Sequence, residues 1–174
     1  MSGGESQSVI VLGIDPGLAS TGYGVITRDG ARLIALDGGV ICTRASSPAE
    51  LRLAEIHAAV EALLEEHLPD AVALEELYFG ANVRTAFAVG QARGAVMLAA
   101  GRRAVPCAGY TPQQVKSAVC GSGRAQKQQV ARMVKTLLGL AAEPASDHAS
   151  DALAVAICHA NRAPLSHALA QASA

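Results

Sequence analysis

Apolar positions crowd the start of the chain in the run Val9-Ile-Val-Leu-Gly-Ile and stop at Asp15-Pro-Gly. A short stretch rich in Val and Ile, closed by a Pro-Gly pair, predicts a buried strand ending in a tight turn with Asp15 at its tip. Thr21-Gly-Tyr-Gly-Val-Ile-Thr and Arg32-Leu-Ile-Ala-Leu read as two further strands, and Asp29-Gly30 between them is a strong hairpin signal. The first three strands are therefore expected to be antiparallel. From Glu50 to His67 the period changes: Leu53, Ile56, Val60, Leu63 and Leu64 recur at helical spacing, and Pro69 ends the helix.

The apolar run resumes at Asp70-Ala-Val-Ala-Leu and ends on Glu75 and Glu76, so a second central strand delivers a carboxylate. Neighbouring strand residues face opposite sides, so only one of the two can point the way Asp15 does. Asn82 to Ala100 predicts a helix of small residues, among them Gly90 and Gly94. Such a surface suits packing within the domain or a helix contact between two copies. Ala104-Val-Pro-Cys reads as a short strand confined to an edge or an end by Pro106. Thr111-Pro112 opens a helix bearing Lys116, Gly121-Ser-Gly123 interrupts the chain, and a second basic helix runs through Leu138. Ser146 is placed to cap a last helix, Asp147 to Asn161, with His148 and Asp151 one turn apart on one face. This order of elements makes a single α/β domain over 9–162, with 1–8 and 163–174 expected as flexible tails.

Charge changes the picture more than composition does. The net charge is only −1, yet Leu77 to Ala142 holds no Asp or Glu and nine basic residues. A long acid-free stretch is the electrostatic footprint of a surface that meets phosphates. The four cysteines, Cys42, Cys107, Cys120 and Cys158, form no Cys-x-x-Cys pair. A disulfide frame or zinc site is disfavoured, and a reducing, cytoplasmic setting is expected. No apolar run approaches membrane-spanning length, so no membrane partner is expected.

Asp15 and Glu75 at strand ends, with His148 and Asp151 on one helical face, bring four hard or borderline ligands from three distant segments. An acid at a buried strand end is either a paired structural residue or a metal ligand. Two divalent cations roughly 3.5–4 Å apart, held by such a set, can drive in-line phosphodiester hydrolysis. Each residue also has a plainer role: Asp147 and Asp151 can oppose the helix dipole, and His148 can be a packed histidine.

Gly13-Ile-Asp-Pro-Gly, Thr21-Gly-Tyr-Gly-Val, Gly90-Gln-Ala-Arg-Gly94, Thr111-Pro-Gln-Gln-Val-Lys116 and Ser150-Asp-Ala-Leu-Ala-Val-Ala-Ile carry a resemblance over about Val9 to Ala160. Through them the chain resembles the bacterial RuvC family of Holliday junction resolvases, in the RNase H-like superfamily. The resemblance implies an RNase H-like fold, a central mixed five-stranded sheet flanked by helices. It implies a homodimer that binds four-way junction DNA and makes paired symmetric nicks with ligatable 5′-phosphate ends. It further implies Mg²⁺, two per active site, or Mn²⁺, and cooperation with RuvA and RuvB.

On matching positions, Asp15, Glu75 and Asp151 correspond to metal-binding acids, and Lys116 and Lys127 to basic residues near the cleaved backbone. Many relatives carry an acid where this chain has His148, which leaves His148 or the adjacent Asp147 as fourth contributor; helical spacing favours His148. Tyr78 stands where Phe is usual, and either ring can stack on an unpaired base. Asn82 and Arg84 follow in the stretch that meets the junction centre, and Arg124 is a further DNA-binding candidate. Two rival readings are weighed. An actin-like or sugar-kinase protein also opens with Asp-x-Gly, but needs two domains and a second such strand. A non-catalytic junction-binding paralogue is expected to lose ligands, and all four positions are retained.

Overall fold

The computed structural model describes residues 8–76 and 82–172. Five strands form one sheet in the order β3-β2-β1-β4-β5. β1 (Val9–Asp15), β2 (Ser20–Asp29) and β3 (Arg32–Cys42) form the antiparallel meander expected from the hairpin signal. Asp29 itself pairs with Arg32, so the turn residues are Gly30 and Ala31, with Gly30 at φ 59°. After α1 (Ala49–His67), β4 (Ala71–Glu75) returns parallel to β1, and β5 (Cys107–Tyr110) lies parallel to β4 after α2 (Val83–Arg102). Helices α3 (Pro112–Cys120), α4 (Lys127–Leu138) and α5 (Asp147–Ala172) complete the chain.

The alternation of β1 divides the core. Leu12 and Ile14 belong to a cluster with Ile56, Val60, Val72, Leu74 and Val96, under α1 and α2. Val11 belongs to the opposite cluster, with Ala73, Val115, Val130, Leu153 and Ile157, under α3, α4 and α5. By the same period of two, Asp15 lies on the face of Val11, and Glu75 on the face of Ala73. The register pairs Ile14 with Leu74, so the two acids sit beside each other at one end of the sheet on the α5 side.

Helix α5 reaches that end by packing directly on backbone. A Cβ at Gly13 would strike the Ala152 carbonyl, and one at Gly22 would strike that of His148. Only glycine allows the helix this close, and its first turn is thereby seated over Asp15, which pairs with Gly22.

Two expectations are corrected. The edge strand is not Ala104 to Cys107 but Cys107–Tyr110. Ala104 adopts φ 55°, which breaks extended geometry, and Pro106 has no N–H for a ladder, so pairing begins after it. The last helix does not stop at Asn161 but continues to Ala172. Pro164 removes the N–H that would bond the Ala160 carbonyl. Arg28 replaces it, donating through Nη1 to Ala160 O at 2.9 Å and to Asn161 Oδ1 at 2.8 Å. Among the described residues no helix is long and apolar enough to cross a membrane.

Candidate metal-dependent active site

Four elements converge at the ends of β1 and β4. Asp15 follows the buried strand and is fixed by its turn, where the buried Thr21 hydroxyl donates to Gly17 O at 2.7 Å and accepts from Gly17 N at 3.3 Å. Its Oδ2 lies 2.9 Å from Nδ1 of His148, on the first turn of α5. One turn further, Asp151 faces Nζ of Lys127 at 3.3 Å, and the same ammonium lies 3.2 Å from Asp147. Lys127 is the first residue of α4, so this helix start meets the acids of α5. A capping box between Thr111 and Gln114 starts α3, which carries Lys116. Glu75, Lys116, Lys127 and Asp151 line a cleft of about 260 Å³ floored by Val115, Val130 and Ala154.

Burial and crowding leave these acids poorly compensated. Desolvation, then the neighbouring charges of Asp15 and Asp151, push the Glu75 carboxyl from 4.5 up to about 7, although Lys116 and Lys127 oppose the rise. Asp151 is raised as well, chiefly by desolvation, against the attraction of Lys127. Burial would lower the Lys127 ammonium, but Asp151 and Asp147 outweigh it and raise it.

Among the described residues no three His, Cys, Asp or Glu side chains approach closely enough to ligate one ion by themselves. The donor set nevertheless fits a hard divalent cation. It consists of carboxylates and one imidazole, and the Glu75 carboxyl, raised by burial and by its acidic neighbours, is relieved by positive charge beside it. A cation that keeps several waters needs only one or two protein carboxylates at bonding distance. His148 is the residue set against Asp15, whereas Asp147 turns to Lys127 and is mostly exposed.

The DNA-binding candidates are scattered. Tyr78 lies outside the described residues. Asn82 is the N-cap of α2, accepting from Thr85 N at 3.4 Å. Arg84 lines a second cleft, about 420 Å³, that runs from His148 past Gly17 and Ser20 to Arg52. Arg124 is exposed beside the Ser122 turn and lines neither cleft. One contact went unforeseen: Arg93 of α2 donates through Nη1 to the main-chain oxygen of Glu75 at 2.6 Å. Its only sequence signal was a basic residue within a glycine-flanked motif.

Residues 11–159 match the family model described as "Crossover junction endodeoxyribonuclease RuvC". Relatives of that name include those of Chloroflexus aggregans, 49% identical and covering 88% of this chain and 93% of its own, and Thermomicrobium roseum, 52% identical and covering 86% and 91%. A solved structure of Thermus thermophilus RuvC in complex with Holliday junction substrate superimposes with a TM-score of 0.88 at 43% identity, covering 91% of this chain and 96% of the other. Sequence, fold and the convergence of acids on α5, β1 and β4 agree: this chain belongs to the RuvC family of crossover junction endodeoxyribonucleases.

Proposed function

We propose that this endodeoxyribonuclease resolves four-way DNA junctions by paired symmetric nicks, with Asp15, Glu75, Asp151 and His148 holding two Mg²⁺, or Mn²⁺, in each site. The observation that supports it is the meeting of three carboxylates and an imidazole at the end of the sheet, beneath two lysines. Bound cations would supply an activated water and stabilisation of the leaving oxygen. The chain's own groups do the rest. His148 orients Asp15 through Nδ1. Lys116 and Lys127 stand on the cleft wall, where an ammonium stabilises charge developing on a phosphate. Tyr78 would stack on an unpaired base, Asn82 and Arg84 would meet the junction centre, and Arg124 would add a further DNA contact.

Two strands must be cut, so two copies are required. The surface of α2 suits this, because Val83, Phe87, Met97 and Leu98 are exposed along it and Gly94 has open space above it. Membership of the family supports RuvA and RuvB as further partners. The decisive experiment compares wild type and Asp15→Asn on a labelled mobile junction and a linear duplex with Mg²⁺. The variant should bind the junction and leave it uncut. Equal cutting of junction and duplex by wild type would defeat junction specificity, and cutting by Asp15→Asn would defeat the assignment of the site.

A further inference from the structure

We infer that Arg93 is a positioning residue of this nuclease, holding the main chain of Glu75 so that the carboxylate is presented to the cation. The inference rests on the reading of Glu75 as a metal ligand. Pairing between β1 and β4 ends at Ile14 and Leu74, one residue before Glu75. On the β1 side the register stops there, while β5 continues alongside through Tyr110. At that point the Arg93 guanidinium reaches across from α2 and donates to the Glu75 carbonyl at 2.6 Å.

A charge-assisted bond of this length is stronger than a neutral ladder bond, and it sets the direction of the peptide from which the carboxylate projects. Among the described residues it is the one side-chain hydrogen bond to the main chain of any of the four proposed ligands. Space for it is kept by Gly109, the neighbour on β5. A Cβ there would lie 3.3 Å from Arg93 Nη2 and 2.9 Å from Oε1 of Glu76. Outer groups that orient a metal ligand govern affinity and activity although they touch neither metal nor substrate.

The test uses the full-length chain with Arg93→Ala, Arg93→Lys, Gly109→Ala and Glu75→Gln. Three quantities are measured: binding of Mn²⁺ alone by calorimetry, junction affinity without metal, and single-turnover cleavage across a Mn²⁺ series. Arg93→Ala should weaken Mn²⁺ binding by about 10–100-fold and move the cleavage titration by the same factor, leaving junction affinity within about threefold. Arg93→Lys keeps one donor and should recover part of the loss, while Gly109→Ala, which crowds the guanidinium, should show a smaller shift in the same direction. If Arg93→Ala does not fold, the graded effects of the other two variants decide. Wild-type Mn²⁺ affinity in the folded Arg93 variants, with cleavage falling only as the folded fraction falls, overturns the inference. If Glu75→Gln binds Mn²⁺ and cuts like wild type, the reading of the site itself fails.

Discussion

Glu75 makes the metal-free protein sensitive to pH in a definite direction. Its folded carboxyl sits at about 7 against an ordinary 4.5, so the folded state keeps a proton that the unfolded chain gives up. The stabilising effect is complete below 4.5 and is lost as pH rises through about 7. Discounted for solvent screening, the loss is about 1–2 kcal/mol. In EDTA, melting curves of wild type should fall relative to those of Glu75→Gln between pH 5 and about 8, and parallel curves would refute the effect. Divalent cation competes with that proton, so Mg²⁺ should raise the melting temperature more at pH 8 than at pH 6. His148 gives a second prediction on the same scale. Against wild type, His148→Ala should lose about 10²-fold in cleavage while keeping junction binding. His148→Asp, an oxygen donor in place of nitrogen, should favour Mg²⁺ over Mn²⁺. Wild-type rates for His148→Ala with both metals would reduce it to a surface residue.

At the scale of elements, the placement of α5 decides whether the proposed ligands meet. Gly22 lies against the backbone of His148, with no flexible side chain to yield, so Gly22→Ala must move the helix or the strand. It should cost about 1–3 kcal/mol by denaturant unfolding and reduce cleavage beyond the loss of stability, because it displaces His148 from Asp15. Full activity with unchanged stability would show that the contact is slack. How far these elements could be read from the sequence depended on range. β1, the hairpin and α1 announce themselves through local period and turn residues, and Asp15 and Glu75 could be located as strand ends. The choice of Glu75 over Glu76 needed the register of β4 against β1, which no local pattern contains. β5 slid past its expected start because four residues carry little period, and Pro106 marks the boundary rather than the strand. The Arg93 bond joins residues of different elements, so spacing could not disclose it. The length of α5 was missed because the residues after Asn161 offer little to bury, and the Arg28 bonds at Ala160 and Asn161 come from a distant part of the chain.

For the whole molecule, the prediction concerns assembly. Phe87 is 68% exposed and Leu98 58% exposed on α2. Phe87→Glu should leave a folded chain that sediments as a monomer at micromolar concentration, with paired nicking reduced much more than single nicking. A Phe87→Glu protein that remains a dimer with paired cuts would place the interface elsewhere. The fold class was legible because antiparallel strands, then alternating helices and strands, admit few arrangements; that Asp15 and Glu75 lie side by side was legible only as two acids at strand ends. The shape of the second cleft, with Arg52 and Arg84 on its walls, arises from loops that only the folded chain brings together.

The proposed ligands come from the first strand, the middle of the chain and the last helix, and α5 also supplies much of one core cluster. During synthesis, which proceeds from the N-terminus at roughly 5–20 residues per second, a nascent chain with β1 to β4 complete carries Asp15 and Glu75 but neither His148 nor Asp151. Translation that stalls before α5 therefore releases a product with half a site and one face of its sheet uncovered. Such a product can be degraded without ever having been able to cut DNA.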